Sequence, residues 1–391
     1  MARMILTVLL FSSPAFAGQS ALAPRDISLP VADGTTLKAT YYPAAKAGPA
    51  VLLLPMCNTT RKSWDPLAPQ LAAAGIHALS VDYRGMGESG GDRVETMAPQ
   101  DAQRVVNAKW PGDIDTAFAF LLAQSGVDRT RVGAAGGSCG VNHAVRLARR
   151  HSEVRSLVLL AGALDPEGIT FITDAPWLPI FAAAAADDQY DADASATMRW
   201  ILALSGNPRN TFSGFKDGKH GTEIFGPHPE LPKQIVAWYT DTLVTRLADP
   251  KDTGAIKTTP VREFWRKAAS PSGVAAAVQM FEDLARRGEG GAALFPEGQL
   301  NQLGYFHLQG GRTKDAISLF RVNTIAYPSS ANTHDSLGDA YLADGQNELA
   351  LQMSTTALQL LATDRVSEER TRAIRESAEQ KIAKLKGSGK K

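Results

Sequence analysis

Val132-Gly133-Ala134-Ala135-Gly136-Gly137-Ser138-Cys139-Gly140-Val141-Asn142-His143-Ala144 is the stretch that decides the fold. A short apolar run comes first and Gly136-x-Ser138-x-Gly140 follows. The segment Val141 to Arg150 then carries apolar residues at three- and four-residue spacing, which predicts a helix. Strand, sharp turn and helix in this order lift a serine hydroxyl clear of a sheet. The glycines two residues to either side let strand and helix backbones approach more closely than a side chain allows. Small-residue loops also satisfy the five-letter pattern, so the flanking strand and helix carry the reading.

The alternation continues on both sides of this turn. Asp26 to Val31 and Thr36 to Tyr42 read as strands around Asp33-Gly34, a dipeptide that favours a tight hairpin. Val51-Leu52-Leu53-Leu54 is apolar without interruption, as a strand inside a parallel sheet must be. Further strands are predicted at His77 to Val81, Leu157 to Leu160 and Pro179 to Ala185, with helices at Pro66 to Ala74 and Ile114 to Gln124 and a closing helix near Pro232 to Leu247. Strand alternating with helix over this length means a parallel sheet covered on both faces, an α/β class.

At 391 residues the chain exceeds what one core usually holds, so two domains are expected. Forty-one basic residues against forty acidic ones leave no strong field to draw nucleic acid or an anionic membrane. Residues 1–17 read as a secretory leader, with Arg3, an apolar run from Met4 to Phe11, and Ala15-Phe16-Ala17 as the cleavage site. That run is far shorter than the roughly 20 residues a membrane span needs. A periplasmic or secreted protein is therefore expected, with no membrane span. The expected organisation is a catalytic domain over 18–248, a linker over 249–262 and an all-α domain over 263–391.

Within that last domain the sequence repeats at an offset of 34: Leu303 with Leu337, Gly304 with Gly338, Leu308 with Leu342, Gly311 with Gly345, Ala316 with Ala350. This period, with small residues where two helices cross, is the signature of tetratricopeptide-like repeats, here spanning about 301–365. Pro328 sits where such a repeat ends, whereas its counterpart Ala362 departs from the pattern. Two repeats are too few to stand alone, so packing on helices at Gly273 to Arg287 and Glu368 to Leu385 is expected.

Val81-Asp82-Tyr83-Arg84-Gly85-Met86-Gly87-Glu88-Ser89 matches a D-x-R-G-x-G-x-S element almost letter for letter. Together with the serine turn, and with Trp64, Leu67, Leu71 and Gly75 in register, it makes residues 25–244 resemble the α/β-hydrolase superfamily, weakly its dienelactone-hydrolase-like serine esterases. The resemblance implies the α/β-hydrolase fold, with Ser138 at a nucleophile elbow and its partners following in the order acid, histidine. A serine hydroxyl attacks only when an imidazole takes its proton and a carboxylate holds that imidazole. Beyond the elbow helix lie His220, His228, His307 and His334, of which the last two fall among the repeats. His220, in Gly218-Lys219-His220-Gly221, resembles the family's G-x-H-G loop and is the candidate base, with His228 the alternative. Asp188 stands where the family places its acid, and Asp187 and Asp165 remain alternatives.

By the same resemblance, backbone N–H groups of Cys139 and Cys57 would form an oxyanion hole, although Pro55-Met56-Cys57 departs from the usual His-Gly-x. These are the only two cysteines, and a disulfide between them is one possibility in an oxidising compartment. Cys139 as nucleophile is another, weakened by Val141 where a cysteine-centred G-x-C-x-G wants glycine. No H-E-x-x-H, paired C-x-x-C or phosphate-binding glycine loop occurs, so no metal and no cofactor is expected. The expected activity is serine hydrolysis of a small-molecule carboxylic ester or other acyl substrate. A modest flap over Asp92 to Lys109 is the only lid-like segment foreseen. The alternatives are a peptidase on the same residues, or a non-catalytic scaffold that binds a protein partner through its repeats.

Overall fold

Among the described residues, eight strands form one sheet in the order β1-β2-β4-β3-β5-β6-β7-β8 in a computed structural model of the chain. They are β1 (Arg25–Pro30), β2 (Thr36–Tyr42), β3 (Gly48–Leu54), β4 (His77–Val81), β5 (Val127–Gly137), β6 (Val154–Leu160), β7 (Ile180–Ala185) and β8 (Thr211–Phe215). The structure describes residues 22–191, 193–251, 258–270, 272–288, 294–364, 366 and 368–388. The leader read over 1–17 and residues 252–257 of the linker lie outside them.

Only β1–β2 and β2–β4 pair antiparallel, and every other neighbour is parallel. Gly34, at φ 86°, makes the turn of the first hairpin. The parallel part is covered on one face by α2 (Pro99–Ala108), α3 (Trp110–Leu122), α4 (Cys139–Arg150), α5 (Pro166–Asp174) and α6 (Ala194–Ser205), and on the other by α1 (Ala68–Ala73) and α7 (Glu230–Tyr239). Val51, Leu52, Leu53 and Leu54 are all fully buried between those layers, which is why the sequence shows no polar alternation there. This strand order, with parallel strands sandwiched by helices, is the α/β-hydrolase fold.

Some elements leave little trace in the sequence. β8 is an edge strand of five half-exposed residues interrupted by Gly214, so it has neither apolar run nor clean alternation. The linker read over 249–262 is shorter than expected, because helix α8 (Pro260–Ala269) begins inside it. Thr259 caps that helix by accepting from the Arg262 N–H at 3.1 Å, with Pro260 at its first position.

Beyond it the described residues form helices joined by turns: α9 (Val274–Arg286), α10 (Glu297–Gln309), α11 (Thr313–Ala326), α12 (Ala331–Ala343), α13 (Asn347–Leu360) and α14 (Glu368–Ser388). α10 and α12 begin at 297 and 331, α11 and α13 at 313 and 347, so each helix of the first pair recurs 34 residues later. A Cβ on Gly304 would run into the Phe320 ring, and one on Gly338 would lie 3.2 Å from Ser354 Oγ. Both glycines are therefore set by close helix crossings. Lys381, buried, ties α14 to α12 through Asp335 at 2.9 Å and Asp339 at 2.6 Å.

The helical region shares one apolar core with the sheet. Phe264, Trp265, Phe281, Phe295, Leu300 and Leu303 are contiguous with the side chains under α5 and α6. Trp265 meets Trp200 edge-on at 5.3 Å, and Trp200 Nε1 donates to the Leu294 carbonyl at 2.8 Å. Arg262 donates to the Ser205 carbonyl at 2.8 Å. Because this core is continuous, Trp265→Ala is expected to cost about 3–5 kcal/mol. It should lower a single unfolding transition followed in urea by both far- and near-ultraviolet circular dichroism. Two separated transitions in the wild-type chain would contradict that coupling.

Candidate active site

β5 runs into Ser138, which sits at φ 53°, ψ −123°, and α4 starts at the next residue. A non-glycine residue in such a conformation costs on the order of 1–3 kcal/mol and persists only where its surroundings over-determine it. They do so here through backbone crowding. A Cβ on Gly136 would overlap the Gly140 carbonyl, one on Gly140 would lie 2.5 Å from the Leu54 oxygen, and one on Gly162 would strike the Ser138 carbonyl. Ser138 N–H donates to the Leu160 oxygen at 2.9 Å, which anchors the turn to β6. Cys139 opens α4, so its N–H belongs to the first turn, which has no partners within the helix.

Two loops beyond β7 and β8 bring an acid and an imidazole to this turn. Asp188 is buried, and its Oδ1 accepts the N–H groups of Tyr190 at 2.9 Å and Asp191 at 3.0 Å. Its Oδ2 lies 2.6 Å from His220 Nδ1. An ionised carboxylate only accepts, so Nδ1 carries the proton and the lone pair is left on Nε2. The His220 loop bends through Gly218, Lys219 and Gly221, all at positive φ. Asp187 supports that loop by accepting the Lys219 N–H at 2.9 Å and does not touch the imidazole.

The other sequence candidates have different work. Asp165 caps α5 through the Gly168 N–H at 2.6 Å and binds Asn142 at 3.0 Å and Arg146 at 2.5 Å. Burial opposes its charge, yet these partners together hold the carboxyl below its usual range. His228 stands at the surface on the Asp217 carbonyl and Glu230. His307 is buried beside α8, and His334 bonds the Ser330 carbonyl on α12.

Cys57 and Cys139 are joined by a disulfide with their Cα atoms 5.8 Å apart. In this state Cys139 has no thiol, and the bond links the loop after β3 to the start of α4. Tyr83 Oη donates to the Pro55 carbonyl at 3.0 Å and steadies the same loop from below. The Asp82 and Arg84 of the glycine-rich element are structural. Asp82 accepts from Arg61 N at 2.6 Å, Glu88 N at 3.0 Å and the Arg61 guanidinium, while Arg84 bridges Asp113 and Asp33.

A cavity of about 490 Å³ opens over Ser138, Cys57, Cys139 and His220. That volume suits a small organic ligand. Residues passed over in the sequence complete its walls. Tyr190, exposed, meets the His220 ring edge-on at 5.1 Å and accepts from Asn58 at 3.2 Å. His143 is buried against the Tyr83 and Trp110 rings, where burial lowers its imidazole to about 3 and keeps it neutral. The segment foreseen as a flap contributes α2 to the rim through Gln103, Val106 and Asn107, and α10 contributes Gln302. No helix among the described residues is long and apolar enough to cross a membrane.

A family model described as serine aminopeptidase, S33, matches residues 46–194, the span from the sheet's centre past Ser138 and Asp188. The acyltransferase drtE of Aspergillus calidoustus is 27% identical over 201 residues, 51% of this chain and 58% of that protein. A polyketide transferase of Gibberella fujikuroi is 35% identical over 92 residues, 23% of this chain and 29% of that protein. The chain thus spans less than two thirds of the length of either relative. Among solved structures, the Pyrococcus furiosus esterase Pf2001 is similar at a TM-score of 0.46 and 16% identity, covering 56% of this chain and 91% of that one. A dienelactone hydrolase-like promiscuous phosphotriesterase from metagenomic libraries is similar at a TM-score of 0.44 and 18% identity, covering 56% and 98%.

The cross-link joins residues 82 apart in sequence. On the chain-entropy view its removal costs about 4 kcal/mol. Reduced protein, or the Cys57→Ser, Cys139→Ser double variant, should unfold at correspondingly lower urea. Thiol titration of the denatured, unreduced chain should find no free thiol, and two would contradict the bond.

Proposed function

We propose that this α/β-hydrolase-fold chain is a serine hydrolase that cleaves a small carboxylic ester through an acyl-enzyme on Ser138. The observation that carries the proposal is the 2.6 Å bond from Asp188 to His220 Nδ1 at the cavity that also exposes Ser138. It leaves the basic Nε2 of His220 as the group able to take the serine proton.

In the proposed cycle Ser138 Oγ attacks the acyl carbonyl while His220 takes its proton. The resulting oxyanion accepts the N–H groups of Cys139 and Cys57, each such donor being worth about 3 kcal/mol in acyl transfer. Collapse breaks the ester bond, and the alcohol leaves with the proton from His220. Water then loses a proton to His220 and attacks the acyl-enzyme, and as the acyl–oxygen bond to Ser138 breaks His220 returns that proton to Ser138 Oγ, releasing the carboxylic acid and restoring the free serine. Asp188 stays ionised throughout, holding the ring and offsetting the imidazolium charge.

The disulfide favours an oxidising compartment, hence a periplasmic or secreted protein. The 34-residue recurrence with Gly304 and Gly338 at helix crossings favours tetratricopeptide-like repeats, and a protein partner for them is part of the same proposal. The description of the matched family favours one second reading, a peptidase on the same residues.

Steady-state hydrolysis of short p-nitrophenyl esters beside the matching p-nitroanilides tests both readings. Faster ester turnover by several orders of magnitude is expected, and the reverse selects the peptidase. Asp188→Asn should lower kcat by about 10⁴. A mild effect there, with a severe one for Asp165→Asn, would reassign the acid.

A further inference from the structure

We infer that Gln302, on the helical C-terminal region, is a specificity residue of the Ser138 site, and that the site takes esters whose acyl chain carries an amide. The inference deepens the ester-hydrolase reading above and rests on it.

Gln302 lies on α10, far along the chain from the sheet, yet it lines the same cavity as Ser138 and His220. Its position is firm, because its neighbours Leu300 and Leu303 are fully or almost fully buried in the shared core. The same cavity is lined by α2, whose Gln103 and Asn107 are four residues apart and so share one helix face. Val106 of that helix packs on the core and fixes the face toward the cavity.

The charged groups of the cavity already have protein partners. Arg146 donates through Nε to Asp165 at 2.5 Å, Asp191 Oδ1 accepts the Asp193 N–H at 2.9 Å, and the neutral amide of Asn142 also donates to Asp165 at 3.0 Å. The side chains of Gln103, Asn107 and Gln302 have no hydrogen-bond partner among the described residues. Each carboxamide offers one acceptor and two donor hydrogens without net charge. That is the complement of a secondary amide, which presents one N–H and one C=O. A purely alkyl chain would leave these groups to water.

Two p-nitrophenyl esters of equal acyl length test the inference on the full-length protein: the N-acetylglycinate, which carries an amide, and the pentanoate, which does not. The readout is the ratio of their kcat/KM values. Wild type should prefer the N-acetylglycinate, and Gln302→Leu should lower the ratio about fivefold, chiefly through the KM of the amide-bearing ester, as loss of one hydrogen bond would. Gln309→Leu, on the same helix away from the cavity, should leave the ratio where it was. A ratio unmoved by Gln302→Leu, or moved equally by Gln309→Leu, overturns the inference while leaving the hydrolase reading intact. Turnover of neither ester by wild type overturns both.

Discussion

At the turn around Ser138, β5, α4 and the loop after β6 meet so closely that Gly136, Gly140 and Gly162 have no room for a Cβ. This crowding holds the serine in its unfavourable backbone conformation and aims its hydroxyl away from the sheet. The conformational cost is small beside the burial it depends on. Val51 to Leu54 on one side and Leu157 to Leu160 on the other are fully buried, each contributing on the order of 1.5–3 kcal/mol. A side chain at any of the three glycines would have to part strand from helix at the centre of that packing.

The rest of the candidate site is then a matter of what reaches this fixed point. The sheet's parallel order brings the loops after β3, β7 and β8 to the same edge as the turn, which is where ligands bind in open α/β sheets. The loop after β3 is tethered by the Cys57–Cys139 disulfide, and the loop after β7 by the N–H bonds that Asp188 accepts. The His220 loop, at positive φ on both sides of the histidine, is held by Asp187. The helical region joins the same construction, since its Phe264, Trp265 and Phe295 continue the core under α6 and carry α10 to the cavity rim.

What the sequence reveals follows the range of each constraint. The serine turn, the buried β3 and the Asp33-Gly34 hairpin are local, because a glycine or an apolar run is needed whatever the rest of the chain does. The 34-residue recurrence is legible for the same reason, with Gly304 and Gly338 each answering to a neighbour within its own helix pair. Choices between like residues are not local. Asp187 and Asp188 differ only in where a loop turns them, one toward Lys219 N–H and the other toward the imidazole. β8 escapes a periodicity reading because an edge strand has only one neighbour to satisfy. Tyr190, His143 and Gln302 give no sequence signal, since nothing in their own surroundings betrays that distant segments converge on one cavity.

The most direct test of an activated Ser138 is reaction of the purified, oxidised protein with a fluorophosphonate probe, followed by peptide mass mapping. The expected result is one adduct per chain on the peptide containing Ser138, absent in Ser138→Ala and slowed by orders of magnitude in His220→Ala. An unlabelled protein that is demonstrably folded, or an adduct on another residue, would contradict the assignment of Ser138 as the nucleophile.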